Sequence, residues 1–145
     1  TQARYGIVWG AVGAAMACYD EALNYSKSRT QFGKPIASFQ LVQAMLAEIV
    51  TEITKAQLLS WRLGRLKEAG KASHVQVSMA KRNNVGWALK IARICRDMLG
   101  ANGILDEYQT MRHMVNLESV NTYEGTFDIH TLASGEAVTG IAAYR

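Results

Sequence analysis

The sequence is poor in proline: Pro35 is the only one in 145 residues, and no segment alternates hydrophobic and polar residues as a half-buried strand does. Because proline interrupts helices, its near absence leaves room for long, unbroken ones. Hydrophobic residues make up 49% of the chain, enough for a single domain of this length to bury its own core. The sequence therefore predicts one all-α domain.

Cysteine and histidine are scarce as well, and none of them is arranged as a metal or disulfide site. Cys18 and Cys95 both lie within apolar helical patterns, which favours reduced core residues of an intracellular protein over a disulfide framework. His74, His113 and His130 are far apart, and none has a second ligand at helical spacing. We therefore predict no metal site.

The net charge of +4 is spread along the chain instead of being gathered on one face. The densest basic cluster, Arg62 to Lys71, is interleaved with leucines, as on the solvated side of a helix. Nucleic-acid binding needs a contiguous basic face, so it is not predicted, whereas anionic small molecules remain possible partners. No apolar run predicts a membrane span or signal peptide. The opening residues do not resemble an initiator sequence, and we expect a piece of a longer protein.

The helices can be placed from their breaks. Residues 3–28 are apolar on nearly every side, which predicts a helix buried on most of its circumference. After Gly33 and Pro35, Ser38 is the expected N-cap of a second helix that ends at Gly70. The apolar stripe of this second helix comprises Phe39, Val42, Met45, Leu46, Ile49, Ile53 and Leu59.

A third helix is predicted from a capping box formed by Ser73 and Gln76, and it runs to Leu99. A short helix over residues 110–117 follows, then a loop over 121–125 and a last helix over 126–143 with Thr126 as N-cap. Long helices joined by short breaks pack antiparallel. The predicted architecture is an antiparallel four-helix bundle with a short extra helix.

The loop before the last helix carries the best candidate for chemistry. In Tyr123-Glu124-Gly125-Thr126, a carboxylate lies between an aromatic ring and a glycine, next to a helix N-terminus that favours anionic groups. In a dry pocket, desolvation would raise the pKa of Glu124 toward the range of a general base. The alternative is an ordinary exposed glutamate that caps its own helix.

One further segment is a candidate for anion binding, and another is only a turn when taken alone. Arg29, in Ser28-Arg29-Thr30-Gln31-Phe32-Gly33, joins a guanidinium to an aromatic ring and a tight turn, a combination that suits a phosphate beside a flavin or base. The alternative is an arginine that interacts with the C-terminal dipole of the first helix. The turn Gly100-Ala101-Asn102-Gly103 lacks the strand, spacing and lysine of a phosphate loop.

Three motifs taken in order resemble the C-terminal helical domain of the acyl-CoA dehydrogenase family: residues 29–35 with Gln40, residues 97–103, and residues 123–126. The resemblance covers essentially the whole chain. Residues 3–7, 81–84 and 112–126 resemble the glutaryl-CoA dehydrogenase branch most closely.

This resemblance implies a flavoenzyme with an N-terminal helical domain, a middle β domain and this C-terminal domain. The complete enzyme would form a homotetramer that binds FAD across a subunit interface. It implies acyl-CoA oxidation, with decarboxylation of glutaryl-CoA to crotonyl-CoA, and electron-transfer flavoprotein as acceptor. A bacterial protein would be cytoplasmic and a eukaryotic one mitochondrial. Desaturation of short acyl-CoAs without decarboxylation is the second enzymatic possibility, and an inactive helical assembly module is the possibility for the isolated chain.

The resemblance also implies a role for each matched residue. Glu124 would be the base, with Arg4, Tyr123 and Gly125 bordering the acyl-CoA. The cofactor would contact Arg29, Phe32, Gln40, Asp97, Met98, Leu99, Gly100, Ala101, Thr126 and Asp128. Two positions depart from the family pattern, since glutamine is frequent at position 97 and a second glycine at position 101. Asp97 cannot donate a hydrogen bond as a glutamine amide does.

Overall fold

The computed structural model describes residues 2–144, and this part of the chain is almost entirely helical. In chain order the elements are α1 (Gln2–Ser28), β1 (Thr30–Gln31), β2 (Lys34–Pro35), α2 (Gln40–Glu68), α3 (His74–Met98), α4 (Thr110–Thr122) and α5 (Phe127–Thr139). Two short 3-10 turns, Ile36–Ser38 and Gly100–Ile104, precede α2 and follow α3. The predicted all-α class is confirmed.

Helix α3 lies at the centre of the bundle and contacts α1, α2, α4 and α5. Its most extensive contact is with α1, through small side chains that let the two backbones approach closely. The main core also takes in Ile49 and Ile53 of α2 and Leu117 of α4. Because α4 packs on both α1 and α3, it completes the four-helix bundle, and α5 packs against α3 as the additional helix.

The burial of α1 is narrower than the sequence predicted. Its buried residues follow one stripe, whereas Trp9 and Met16 remain 42% and 44% exposed. The stripe consists of Val8, Ala11, Val12, Ala15, Cys18, Ala22 and Ser26. A helix that is apolar all round does not reveal which side meets its neighbours, so the prediction of burial on most sides was wrong for this chain.

The boundaries of α2 were predicted in part. Phe39, not Ser38, is the N-cap residue, and the Ser38 hydroxyl instead donates to the carbonyl of Pro35 at 2.7 Å, inside the preceding 3-10 turn. Gly70 ends the helix with a φ of +67°, as predicted. The amides of Gly70 and Lys71 donate to Lys67 and Leu66, and so satisfy carbonyls of the last turn.

The capping box of α3 is formed as predicted. The amide of Gln76 donates to the Ser73 hydroxyl at 3.2 Å, and the Ser73 amide donates to the Gln76 side chain at 2.8 Å. The next helix, α4, extends to Thr122, beyond the expected Leu117. The last helix ends sooner than expected, at Thr139, because Gly140 adopts a left-handed φ of +72°.

A short antiparallel hairpin between α1 and α2 was not predicted. Thr30 pairs with Pro35 and Gln31 with Lys34. The two turn residues, Phe32 and Gly33, have φ values of +51° and +77°, a succession typical of a tight hairpin turn. Each strand has only two residues, too few to produce an alternating pattern in the sequence.

Both cysteines are buried free thiols in the core, as their apolar surroundings predicted. Desolvation by burial is the main cause that raises the pKa of each thiol to about 12, so neither has the properties of a nucleophile. None of the helices described over residues 2–144 has the length and hydropathy needed to cross a bilayer.

Candidate active site

The turn between α4 and α5 carries Glu124 in an unusual backbone conformation. Glu124 has a φ of +55° and Gly125 a φ of +89°, so two successive residues are left-handed. Only glycine adopts this region without a steric cost. Thr126 then caps α5, its hydroxyl accepting from the amide of Ile129 at 3.2 Å, which confirms the predicted N-cap.

Three side chains from three different helices hold this turn by its carbonyl oxygens. Lys81 of α3 donates through Nζ to the carbonyls of Tyr123 at 2.5 Å and Gly125 at 2.6 Å. The carbonyl of Glu124 accepts from Nε of Arg4 on α1 at 3.0 Å and lies 3.2 Å from Nε2 of His130 on α5. Every carbonyl from Tyr123 to Gly125 therefore has a side-chain partner.

Two of these partners, Lys81 and His130, are buried and have lowered pKa values. Lys81 is 1% exposed and His130 is 2% exposed. Burial is the largest cause that lowers the pKa of Lys81, followed by repulsion from Arg4, while attraction to Glu124 opposes the shift. Burial also lowers the pKa of His130, with the charge of Lys81 as the next cause. A neutral imidazole that carries its proton on Nε2 can donate to the Glu124 carbonyl.

The carboxylate of Glu124 is not enclosed by this chain. Its side chain is 47% exposed, and Oε2 lies 3.9 Å from Nε of Arg4. The dry pocket expected from the sequence is therefore not formed by the described residues. The structure separates two aspects of the prediction, because the backbone of Glu124 is fixed from within the chain whereas its side chain faces outward.

An apolar groove of about 450 Å³ runs between α1 and α4, next to this turn. On the α1 side its wall is built from small residues, Ala3, Gly6, Gly10, Ala11 and Ala14, together with Ile7. On the other side it is lined by His113, Asn116, Leu117, Val120 and Tyr123. Ala3 and Tyr123 line the groove, whereas their chain neighbours Arg4 and Glu124 do not, so the turn that carries Glu124 adjoins the groove and its carboxylate lies outside the lining.

A second concavity, of about 370 Å³, brings two sequence motifs together. Arg29 and Gln31, from the segment after α1, lie opposite the residues that follow α3. Its lining comprises Tyr25, Arg29, Gln31, Ile36, Met98, Leu99, Gly100, Ala101 and Asn102. Asn102 also donates to the Tyr25 hydroxyl at 3.0 Å, which ties the turn after α3 to α1. A guanidinium beside backbone that bends at Gly100, where φ is +60°, suits an anionic ligand.

The remaining predicted site residues are dispersed. Phe32 is 93% exposed at the hairpin turn, where its ring meets Phe39 edge-on, and Gln40 is exposed at the start of α2. Asp97 does not line the second concavity and is paired with Arg96. Asp128 is exposed in the first turn of α5. The structure thus assembles residues 98–101 with Arg29, and Arg4 with residues 123–125, but not the whole set.

The sequence assigned no role to Lys81 or His130. Lys81 was recognised only as part of a family motif, and His130 was assessed only as a metal ligand. A lysine among Val77, Ala80, Val85 and Ala88, on the apolar side of α3, was the available signal. Over residues 2–144, no group of histidine, cysteine or acidic side chains is positioned to hold a metal ion.

Comparisons with known proteins agree on one family. The family profile described as "Acyl-CoA dehydrogenase, C-terminal domain" matches residues 1–139. Glutaryl-CoA dehydrogenase from Mycobacterium smegmatis superposes with a TM-score of 0.97 at 54% identity over 99% of this chain and 37% of that one. A second structure of a glutaryl-CoA dehydrogenase from the same organism, in complex with FADH2, gives 0.97 at 48% identity, with coverage of 99% and 37%.

Among curated relatives, the short-chain specific acyl-CoA dehydrogenase of Megasphaera elsdenii is 33% identical over 93% of this chain and 35% of its own. The chain thus spans about a third of the length of the relatives it matches. The helical bundle, the motifs in their order and these similarities have one common explanation. The chain belongs to the acyl-CoA dehydrogenase family and corresponds to its C-terminal domain.

Proposed function

We propose that this chain is the base-carrying and FAD-binding domain of a glutaryl-CoA dehydrogenase. The observation that carries the proposal is a carboxylate, Glu124, on a fixed turn that adjoins an apolar groove through Tyr123. The 54% identity to the glutaryl-CoA dehydrogenase of Mycobacterium smegmatis supports the choice of substrate. The complete protein would add an N-terminal helical domain and a middle β domain.

In this proposal Glu124 removes a proton from C2 of the thioester. The thioester carbonyl delocalises the negative charge that develops at C2, so a carboxylate is a strong enough base. FAD, when bound, supplies a hydride acceptor for C3, so that a C2–C3 double bond forms. For glutaryl-CoA the terminal carboxylate then leaves as carbon dioxide, a proton takes its place at C4, and crotonyl-CoA results.

The groove suits the acyl end of such a substrate. Glycine and alanine side chains on α1 leave room for an extended chain, and Tyr123 and Leu117 close the opposite wall. Arg4 and Gly125 flank Glu124 in the turn that adjoins the groove. Because Glu124 is half exposed here, the water-poor surroundings of a general base must be completed by parts of the protein outside this chain.

The second concavity fits part of FAD. Arg29 would pair with the pyrophosphate, and the turn formed by Met98, Leu99, Gly100 and Ala101 would border the adenosine. Asp97 is left out, since it pairs with Arg96, and Asn102 joins the set. Thr126 and Asp128, at the start of α5, would face the cofactor of the same subunit.

The exposed hairpin supports a site shared between subunits. Phe32 has almost its entire ring in solvent, and Gln40 lies exposed just beyond it, so both are available to a cofactor held by another copy of the chain. We therefore propose a homotetramer, with electron-transfer flavoprotein as acceptor. The proposed compartment is the cytoplasm for a bacterial protein and the mitochondrial matrix for a eukaryotic one.

Desaturation of a short acyl-CoA without decarboxylation is the second candidate. One observation favours it: the described residues that line the groove include no lysine or arginine to hold a terminal carboxylate. Under the leading proposal, that cation comes from the domains outside this chain. The similarity to the short-chain enzyme of Megasphaera elsdenii is compatible with this second candidate.

The test uses the complete protein, purified with FAD and supplied separately with glutaryl-CoA and butyryl-CoA. Release of carbon dioxide and crotonyl-CoA from glutaryl-CoA supports the leading proposal. Oxidation of butyryl-CoA with no carbon dioxide from glutaryl-CoA supports the second candidate. Failure to reduce bound flavin with either thioester overturns both.

Two variants in the same experiment act as controls for each other. Glu124→Gln is expected to abolish exchange of the C2 proton while FAD stays bound. Arg29→Gln is expected to release FAD, with exchange lost only in proportion to the missing cofactor. Wild-type exchange in Glu124→Gln would exclude Glu124 as the base, and full FAD retention in Arg29→Gln would exclude the proposed pyrophosphate contact.

A further inference from the structure

The turn that carries Glu124 holds a conformation that its sequence does not favour. A non-glycine residue in the left-handed region is sterically disfavoured relative to ordinary backbone. Glu124 has a φ of +55° and is followed by Gly125 at +89°. Such a conformation persists only when surrounding contacts hold it, so the partners of its carbonyls determine the direction of the Glu124 side chain.

Lys81 is the central partner. Its Nζ lies between the carbonyls of Tyr123 and Gly125, at 2.5 and 2.6 Å, and so bridges the residues on either side of Glu124. These two carbonyls come from opposite sides of the bend, and one ammonium that binds both fixes their separation. Neither Arg4 nor His130 bridges the carbonyls of Tyr123 and Gly125 in this way, because the nitrogen of each lies at hydrogen-bonding distance from the carbonyl of Glu124.

The burial of Lys81 argues against an incidental contact. Lys81 as a residue is 1% exposed, so its ammonium has lost most of its contact with bulk water, and this loss disfavours the charged form unless the protein supplies hydrogen-bond partners. Its hydrogen-bond partners are two backbone carbonyls, not a carboxylate. Methionine or leucine at this apolar position of α3 would fill the space without that desolvation cost. The presence of a lysine here is therefore explained by the two hydrogen bonds with which its ammonium holds the turn.

We propose that Lys81 is a positioning residue for the base, one that holds the Tyr123–Gly125 turn so that the Glu124 carboxylate faces C2 of the thioester. This inference rests on the proposed function. Lys81 itself does not touch the substrate, since its Nζ is directed at backbone carbonyls and its side chain is buried beneath the turn. It acts only through the placement of Glu124.

The experiment compares three variants of the complete protein: Lys81→Met, Lys81→Arg and the control Lys90→Met. Lys90 is an exposed lysine on the same helix, paired with Glu48 at 3.1 Å, so its replacement removes the same charge without affecting the turn. For each variant, three quantities are measured: FAD content, butyryl-CoA affinity, and the rate at which the C2 proton of butyryl-CoA exchanges with D2O.

A shift of about 1 Å in a catalytic group costs about 100-fold in rate. Lys81→Met is therefore expected to exchange about 100-fold more slowly, with FAD content and butyryl-CoA affinity within about twofold of the unmodified protein. Lys81→Arg keeps the positive charge but replaces the single ammonium nitrogen with a longer, planar guanidinium. We expect its rate of C2-proton exchange to be about 10-fold lower than that of the unmodified protein. Lys90→Met is expected to match the unmodified protein.

The outcomes separate this inference from the proposed function. No exchange in the unmodified protein overturns both. Normal exchange in Lys81→Met overturns the inference alone, and so does a parallel loss of FAD, affinity and exchange, which indicates a merely structural role. If Lys81→Met does not fold, Lys81→Arg decides: reduced exchange with binding retained supports the inference, and exchange at the unmodified rate overturns it.

Discussion

Gly125 lies directly against the imidazole of His130, so that a Cβ at position 125 would be 2.8 Å from Nε2. His130 is 2% exposed and contacts the carbonyl of Glu124, and hence has little freedom to move away. The φ of +89° at Gly125 disfavours a side chain independently. Two separate constraints therefore require glycine immediately after the proposed base.

The first prediction concerns Gly125→Ala in the complete protein. The added methyl group displaces His130 or the turn, and we expect C2-proton exchange to fall about 100-fold while FAD content is retained. The matched control is Gly135→Ala on α5, where a Cβ meets nothing within 4 Å. This control is expected to leave exchange unchanged and to stabilise the helix by about 0.5–1 kcal/mol. Equal exchange in the two variants would contradict the prediction.

The second prediction concerns the polar junction at the centre of the bundle. Asn84 of α3 is 1% exposed, and its Nδ2 is within hydrogen-bonding distance of the Val8 carbonyl, the Ala56 carbonyl and the Ser60 hydroxyl. These partners belong to α1 and α2, so one amide joins three helices. Asn84→Ala removes that link and leaves a small cavity.

We expect Asn84→Ala to lower the free energy of unfolding by about 2–3 kcal/mol, measured by urea unfolding of the complete protein with hydrogen exchange of α3 as a local probe. Asn24→Ala, at an exposed position of α1, is the control and should change stability by less than about 0.5 kcal/mol. A similar small effect in both variants would mean that the junction contributes little.

The third prediction is a pH dependence that originates at Glu21. Its carboxylate accepts from the amides of Gln109 and Thr110 and from the Thr110 hydroxyl, at distances from 2.6 to 3.1 Å, and so caps the start of α4 from α1. Burial raises the pKa of Glu21, but the hydrogen bonds from Thr110 and Gln109 outweigh burial, and the net pKa is lowered.

Because folding lowers this pKa, the unfolded chain binds more protons than the folded one as the carboxyl titrates. The stabilisation is present above the pKa of the unfolded chain and is lost as the pH falls through the folded value. Glu21→Gln should therefore cost about 1–3 kcal/mol at neutral pH and flatten the acid limb of the stability profile. Asp20→Asn, at an exposed neighbouring position, is the control. An unchanged acid limb in Glu21→Gln would locate the effect elsewhere.

Local signals predicted the helical framework well. The Ser73–Gln76 capping box, the left-handed Gly70 and the Thr126 cap each depend on residues five or fewer apart, and all three are formed. Predictions failed where local preferences did not decide the outcome. Phe39, which has no capping side chain, is the N-cap residue of α2 in place of Ser38, and the uniformly apolar α1 did not distinguish its buried side from its exposed one.

The candidate site also contains residues that local motifs predicted and residues that they did not. Glu124 and Arg29 stood out because each occupies a short motif that contains a glycine. Lys81 did not, since its partners Tyr123 and Gly125 are 42 and 44 residues away along the chain. A hydrogen bond across that separation exists only after α3 and the α4–α5 turn have packed together, and nothing in the residues next to Lys81 specifies it.

The sequence by itself determined the helical class, most helix ends, and the family motifs in their order, because these follow from steric preferences and hydrogen bonds among close neighbours. Only the tertiary structure decided which side chains hold the Glu124 turn, that Arg29 lies opposite residues 98–102, and that the Glu124 carboxylate remains half exposed. Each of these features depends on contacts between helices that are far apart in the sequence. Burial and long-range hydrogen bonds form only when those helices pack together, and no local sequence pattern specifies that packing.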